Sequence, residues 1–191
     1  MVGPRRFSDL LVNMPSIGTN LLSARLRELV EQDIVKKVAA PGSNSATYVL
    51  TEKGTALEPV ILAMARWGLR FLNESEGVKE VSRPDLLVVA FRAAFRPEHA
   101  KGVVESYEFR IDETIFFADI NNGILNTGLG TATRPAFIFT TDSSTFDKVS
   151  SGEMDILDAQ ERCLVEITGD QEAYGRCVRM FTGSPKISRT R

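Results

Sequence analysis

The run Pro15-Ser16-Ile17-Gly18-Thr19-Asn20-Leu21-Leu22-Ser23-Ala24-Arg25-Leu26-Arg27-Glu28-Leu29-Val30 governs how the first half of the chain is read. Leu22, Leu26, Leu29 and Val30 recur every three or four residues, the spacing of one helical face. The spacing predicts a helix over Thr19 to Gln32, with Thr19 its capping candidate. Upstream, Phe7, Leu10, Leu11 and Met14 have the same period; Ser8 is a candidate cap and Pro15 a stop. Two helices joined by a short turn containing Gly18 meet the requirement of a helix-turn-helix.

Downstream, Ile34 to Val38 and Ala46 to Leu50 are strand-like runs flanking the turn formers Ala39 to Ser45, which predicts a hairpin. Thr51 then caps a helix whose stripe is Leu57, Ile61, Met64, Trp67 and Phe71, and Pro59 kinks it or marks its true start. Helix, turn, helix, hairpin, long helix is the order of a winged helix. In that arrangement the second helix enters the DNA major groove, where base edges carry a distinguishing code. With Leu22, Leu26 and Leu29 inward, the outward residues Thr19, Asn20, Ser23, Ala24 and Arg27 are the candidate readers. Lys36, Lys37, Ser43 and Asn44 on the hairpin are candidate backbone contacts, where cations add affinity without sequence information.

Charge partition agrees with this reading. Net charge is -2, but through Asn73 nine Lys and Arg face six Asp and Glu, a balance of +3, and the remainder carries -5. A basic module joined to an acidic one fits a nucleic-acid binder fused to a domain of another kind. At 191 residues and 43% hydrophobic, the chain is long enough for two domains with real cores and excludes disorder. The expected domains are 1–73, a winged helix; 74–83, a linker; 84–182, a second domain; and 183–191, a flexible tail. Without a leader or a long apolar run, the expectation is a soluble cytoplasmic protein with no membrane partner. Cys163 and Cys177 fit no disulfide framework or zinc spacing and are expected to be buried thiols.

In the second domain, Pro84 opens a helix to about Arg96. Strand-like runs follow at Val103 to Ile111, Thr114 to Ile120, Gly123 to Leu129 and Pro135 to Thr140, with Asp112-Glu113 and Asn121-Asn122 as turns. Helices near Ser144 to Ser150 and Met154 to Ala159, a strand at Cys163 to Thr168 and a helix at Gln171 to Phe181 complete it. The fold class is therefore α+β, with an antiparallel sheet and helices grouped before and after it. Phe91, Phe95, Phe116, Phe137 and Phe139 are candidates to line an apolar ligand site, the alternative being plain core.

Catalytic signals are poor, and the expectation is a non-enzyme without cofactor or metal. His99 lies alone in a Pro-marked connection, so no triad assembles from the sequence. Gly128-Leu129-Gly130 lacks the third glycine of a dinucleotide fingerprint. Asp112 with Glu113 is explained by a turn, and Asp155, Asp158 and Glu161 by a solvated helix face.

Gly3-Pro4-Arg5-Arg6-Phe7-Ser8-Asp9-Leu10, Arg25-Leu26-Arg27-Glu28-Leu29, Tyr48-Val49-Leu50-Thr51-Glu52-Lys53-Gly54 and Pro59 before Trp67-Gly68 closely resemble the HxlR-type winged-helix transcription regulators. The resemblance implies a dimeric DNA-binding regulator with the helix from Thr19 as reader and the hairpin as wing. Two departures stand out. Only six residues precede Phe7, so the family's first helix is not expected in this sequence; either the start was assigned too late or trimmed, or something else covers the face of Leu10, Leu11, Leu26 and Leu29. Asn20 and Ala24 stand where the family often has longer polar or basic side chains.

Over Pro84 to Phe181, Ser144-Thr145-Phe146-Asp147-Lys148-Val149-Ser150-Ser151-Gly152 and Thr168-Gly169-Asp170 resemble sterol-carrier-protein type-two-like domains, which implies a cavity for a small apolar effector. A rival reading is a lipid-like carrier whose winged helix serves only packing or dimerisation.

Overall fold

The computed structural model describes residues 3–39, 46–69 and 84–182, and the chain divides into two compact units, Met1–Met64 and Ala65–Arg191. Ser43, Asn44, Phe71, the expected linker 74–83 and the expected tail 183–191 lie outside the described residues.

The first unit runs β1 (Arg5–Arg6), α1 (Phe7–Asn13), α2 (Thr19–Glu31), β2 (Val35–Ala39), β3 (Ala46–Leu50), α3 (Glu52–Thr55) and into α4 (Glu58–Leu69). Both expected caps need correction. Arg6 is the N-cap of α1 and its backbone N–H donates to Asp9 Oδ2 at 2.9 Å, while Ser8 lies inside the helix and donates to Asp9 Oδ1. Gly18 caps α2 with no side-chain bond, so Thr19 is its first helical residue. Pro15 cannot continue α1, which ends at Asn13 with Met14 as its C-cap.

Leu22 and Leu26 are buried and Leu29 half-buried, so the expected inward face of α2 is in place. The apolar residues left exposed on the two helices are Val12, Leu21 and Val30, whereas Leu10 and Leu11 are half-buried and Leu26 is covered. β1, unread in the sequence because two arginines carry no alternation, pairs antiparallel with β3, which pairs with β2; the sheet order is β1-β3-β2.

Thr51 caps only α3, accepting from Gly54 N at 3.0 Å. Pro59 lies in the first turn of α4 and marks a fresh start rather than a kink.

The second unit contains α5 (Pro84–Ala94), a single 3-10 turn at Pro97–His99, β4 (Val104–Ile111), β5 (Thr114–Asn121), β6 (Ile124–Leu129), β7 (Phe137–Thr141), α6 (Ser143–Ser151), α7 (Ile156–Glu161), β8 (Val165–Gly169) and α8 (Gln171–Thr182). Asn122 and Gly123 both have positive φ, 47° and 89°, as a tight two-residue hairpin demands. The five strands are ordered β6-β5-β4-β7-β8 and pair antiparallel except between β4 and β7, which run parallel. Chain order hides that ladder, because β7 passes β5 and β6 to reach β4.

Alternation along the strands gives one face to the core. Phe116, Phe109 and Phe139 share one rung across β5, β4 and β7, and Ala118, Tyr107 and Phe137 share the next; all six are buried. α8 closes this face with Ala173, Cys177 and Met180, and α5 with Val88. Cys163 corrects the expectation for the thiols: it is exposed, at a residue of φ 56° following α7, while Cys177 is buried. No helix among the described residues is long and apolar enough to cross a membrane.

Candidate nucleic-acid interface and aromatic core

The exposed side of α2 carries Thr19, Asn20, Ser23 and Arg27, with Ala24 half-buried among them. The helix sits on Leu22, 3% exposed, and Leu26, 6% exposed, so these polar groups are turned outward by packing beneath them rather than by local preference. Arg25 is occupied on the same helix: its Nη1 donates to Glu28 Oε2 at 2.8 Å. The turn into β2 is held from the α3 side, where Lys53 Nζ donates to the Gln32 carbonyl at 2.8 Å and Thr51 Oγ1 to the Asp33 carbonyl at 2.6 Å. α2 and the wing are thereby tied to one another through the start of α3.

Lys36 and Lys37 are both exposed on β2, and Val35 at the strand's start is buried as its anchor. Missed in the sequence were Arg5 and Arg6, which β1 adds at the other edge of the same sheet. The three strands hold four cations and no carboxylate. The signal that could have found them is the dipeptide itself, two adjacent cations immediately ahead of the first helix.

The five phenylalanines proposed for a ligand site are brought together, ring against ring. Phe116, Phe137 and Phe139 are buried; Phe91 lies 4.6 Å from Phe109, 5.3 Å from Phe116 and 4.0 Å from Phe181 between centroids, and Phe95 lies 5.5 Å from Phe181. Phe109, Phe181, Tyr107 and Tyr174, missed in the sequence, belong to the same cluster; the alternation along β4 is the signal that could have found Tyr107 and Phe109. Burial pushes the Tyr174 hydroxyl up to about 12 and the Cys177 thiol well above its ordinary value.

His99 is exposed on its 3-10 turn, and Asp112, with φ 49°, accepts from Ser143 N at 3.2 Å. Asp155 is the N-cap of α7, accepting from Leu157 N. Among the described residues no group of three or more His, Cys, Asp or Glu could hold a metal.

Two helices joined by a short turn and followed by an antiparallel hairpin are the arrangement of a winged helix-turn-helix, and comparison with known proteins makes the class specific. The HxlR-like helix-turn-helix family model matches residues 1–76. The HTH-type transcriptional regulator YodB of Bacillus subtilis (strain 168) is 37% identical over 81 residues, 42% of this chain and 72% of the relative. The chain belongs to the HxlR-like helix-turn-helix family.

Among solved structures, the sec-alkylsulfatase Pisa1 from Pseudomonas sp. matches at 16% identity and TM-score 0.47, covering 51% of this chain; the chain spans only 16% of that enzyme. Palmitated SCP2L2 from Aedes aegypti, of the sterol-carrier type, matches at 16% identity and TM-score 0.42, covering 53% of this chain and 93% of that one.

Proposed function

We propose that the chain is a DNA-binding transcriptional regulator that works in the cytoplasm as a homodimer. The single observation that carries the reading is the outward polar face of α2, with Thr19, Asn20, Ser23 and Arg27 exposed above buried Leu22 and Leu26. In the proposed complex α2 enters the major groove of duplex DNA, with Asn20, Ser23, Ala24 and Arg27 toward the base edges. Lys36, Lys37, Ser43 and Asn44 follow the phosphates.

α4 supplies the dimer surface. Leu57, just before it, and Val60, Ile61, Met64 and Trp67 on it fall at coiled-coil spacing and are exposed, Met64 at 65% and Trp67 at 66%. A two-fold dimer must set two reading helices about 34–36 Å apart to meet successive major grooves. In the second unit, Phe95 and Phe181 at the half-buried margin of the aromatic cluster are the proposed entry for a small apolar effector. Its binding would alter the helix spacing through a coupling of roughly 1–3 kcal/mol.

Mobility-shift titration with promoter duplexes at two salt concentrations tests the reading. Binding that weakens with salt, and is weakened further by Asn20→Ala and Arg27→Ala, is expected, each base contact being worth about 1–3 kcal/mol. Affinity that ignores salt, or no binding at micromolar protein, overturns it.

A further inference from the structure

The three strands of the first unit carry more positive charge than the hairpin alone, and the pairing register shows where it sits. Arg6 pairs with Thr47 and Thr47 with Val38, while Val49 pairs with Lys36. Paired residues share a face and alternate residues along a strand share it too, so Arg6, Thr47, Val38, Val49 and Lys36 lie on one face of the sheet. The opposite face carries Val35 and Leu50, where Val35 is buried. Arg6 and Lys36 are both exposed, at the two edges of this face. Their Cα positions are two strand spacings and two residues apart, roughly 12 Å, enough to engage separate phosphates.

Arg6 has a second location: it is also the N-cap of α1. In helix-turn-helix docking the second helix lies in the groove while the first crosses the sugar-phosphate backbone. In such a docking the residue that joins β1 to α1 would stand beside the passing backbone, and its own carboxylate neighbour, Asp9, is engaged by the Arg6 main-chain N–H.

We infer that Arg6 is a phosphate contact of duplex DNA, acting with Lys36 across the sheet so that β1 forms a third, cationic strand of the wing. The inference rests on the reading of the first unit as a DNA binder. It assigns Arg6 to affinity and not to sequence choice, because phosphates carry no base identity.

The test is a salt series with a labelled duplex of arbitrary sequence, followed by fluorescence anisotropy over roughly 50 to 200 mM salt. Removing one cation from a phosphate lowers the slope of log K against log salt by about 0.9. Arg6→Gln is expected to lower it by that amount, Arg6→Gln with Lys36→Gln by about twice as much, and Arg6→Lys hardly at all. Arg134→Gln, on an exposed loop of the second unit, is the control and leaves the slope unchanged.

Should Arg6→Gln fail to fold, phenylglyoxal modification of the unaltered protein, mapped by mass spectrometry, replaces it; duplex DNA is expected to protect Arg6. A salt-dependent wild type whose slope is the same in Arg6→Gln, or an Arg6 equally modified with and without DNA, overturns the inference while DNA binding stands. A wild type with no salt-dependent binding at all overturns both.

Discussion

Gly54 shows what a single residue does in the first unit. A Cβ built there would lie 2.0 Å from the Ile34 carbonyl oxygen and 3.0 Å from Leu50 Cδ2, and the carbonyl is backbone that already accepts the Thr51 N–H at 3.1 Å. Gly54→Ala must therefore push α3 away from the turn that follows α2. We expect a loss of about 2–3 kcal/mol, read as a lower urea midpoint at unchanged slope. Thr51→Ala removes the α3 cap and the donor to the Asp33 carbonyl, and is expected to cost about 1–2 kcal/mol by the same measurement. The sequence shows Thr51-Glu52-Lys53-Gly54 as a motif, and capping explains its threonine. The need for glycine was not legible, because it comes from a carbonyl about twenty residues earlier in a fold not yet assembled.

Elements were legible where their signals are local. The strands of the second unit follow from alternation and turn residues, although the hairpin expected at Asn121-Asn122 turns one residue later, at Asn122-Gly123, and a helix near Ser144 to Ser150 was legible without its Asp142 cap. The parallel β4–β7 ladder and the two-residue β1 depend on distant partners, so periodicity alone could not supply them. α6 also carries the clearest pH dependence. Thr145 donates to Asp142 through its N–H at 2.9 Å and its hydroxyl at 2.7 Å, and these bonds hold the Asp142 carboxyl below its ordinary range. The unfolded chain then takes up the proton first as pH falls. The stabilisation is complete above the ordinary carboxylate value of about 3.9 and is lost as pH drops through the lowered folded value. Asp142→Asn keeps a capping oxygen and gives up the charge; its urea midpoint is expected to change less between pH 7 and pH 3 than that of the wild type. Asp142→Ala also loses the cap, about 1 kcal/mol at neutral pH.

At the scale of the molecule, the two units differ in how much apolar surface they bury. Among the described residues, Leu22, Leu26 and Val35 are the buried hydrophobic residues of the first, against a cluster of fifteen buried residues in the second. A domain of the first unit's size is marginal on its own, and the apolar stripe of α4, which looks like core in the sequence because periodicity records a face and not what covers it, is exposed. Covering that stripe with a second copy would make stability depend on protein concentration by mass action. The chain has one tryptophan, Trp67, and it lies on the stripe. Its emission is therefore expected to shift to the blue as protein concentration rises, in step with the mass from light scattering. Met64→Glu, placing a charge at the centre of the proposed seam, is expected to hold the emission red and the protein monomeric at every concentration. In the same variant, DNA affinity should drop much further for a two-half-site duplex than for a single half-site, because only the first requires both reading helices at once. An unchanged mass and emission in Met64→Glu would place the dimer contact elsewhere and leave α4 without the role argued for it.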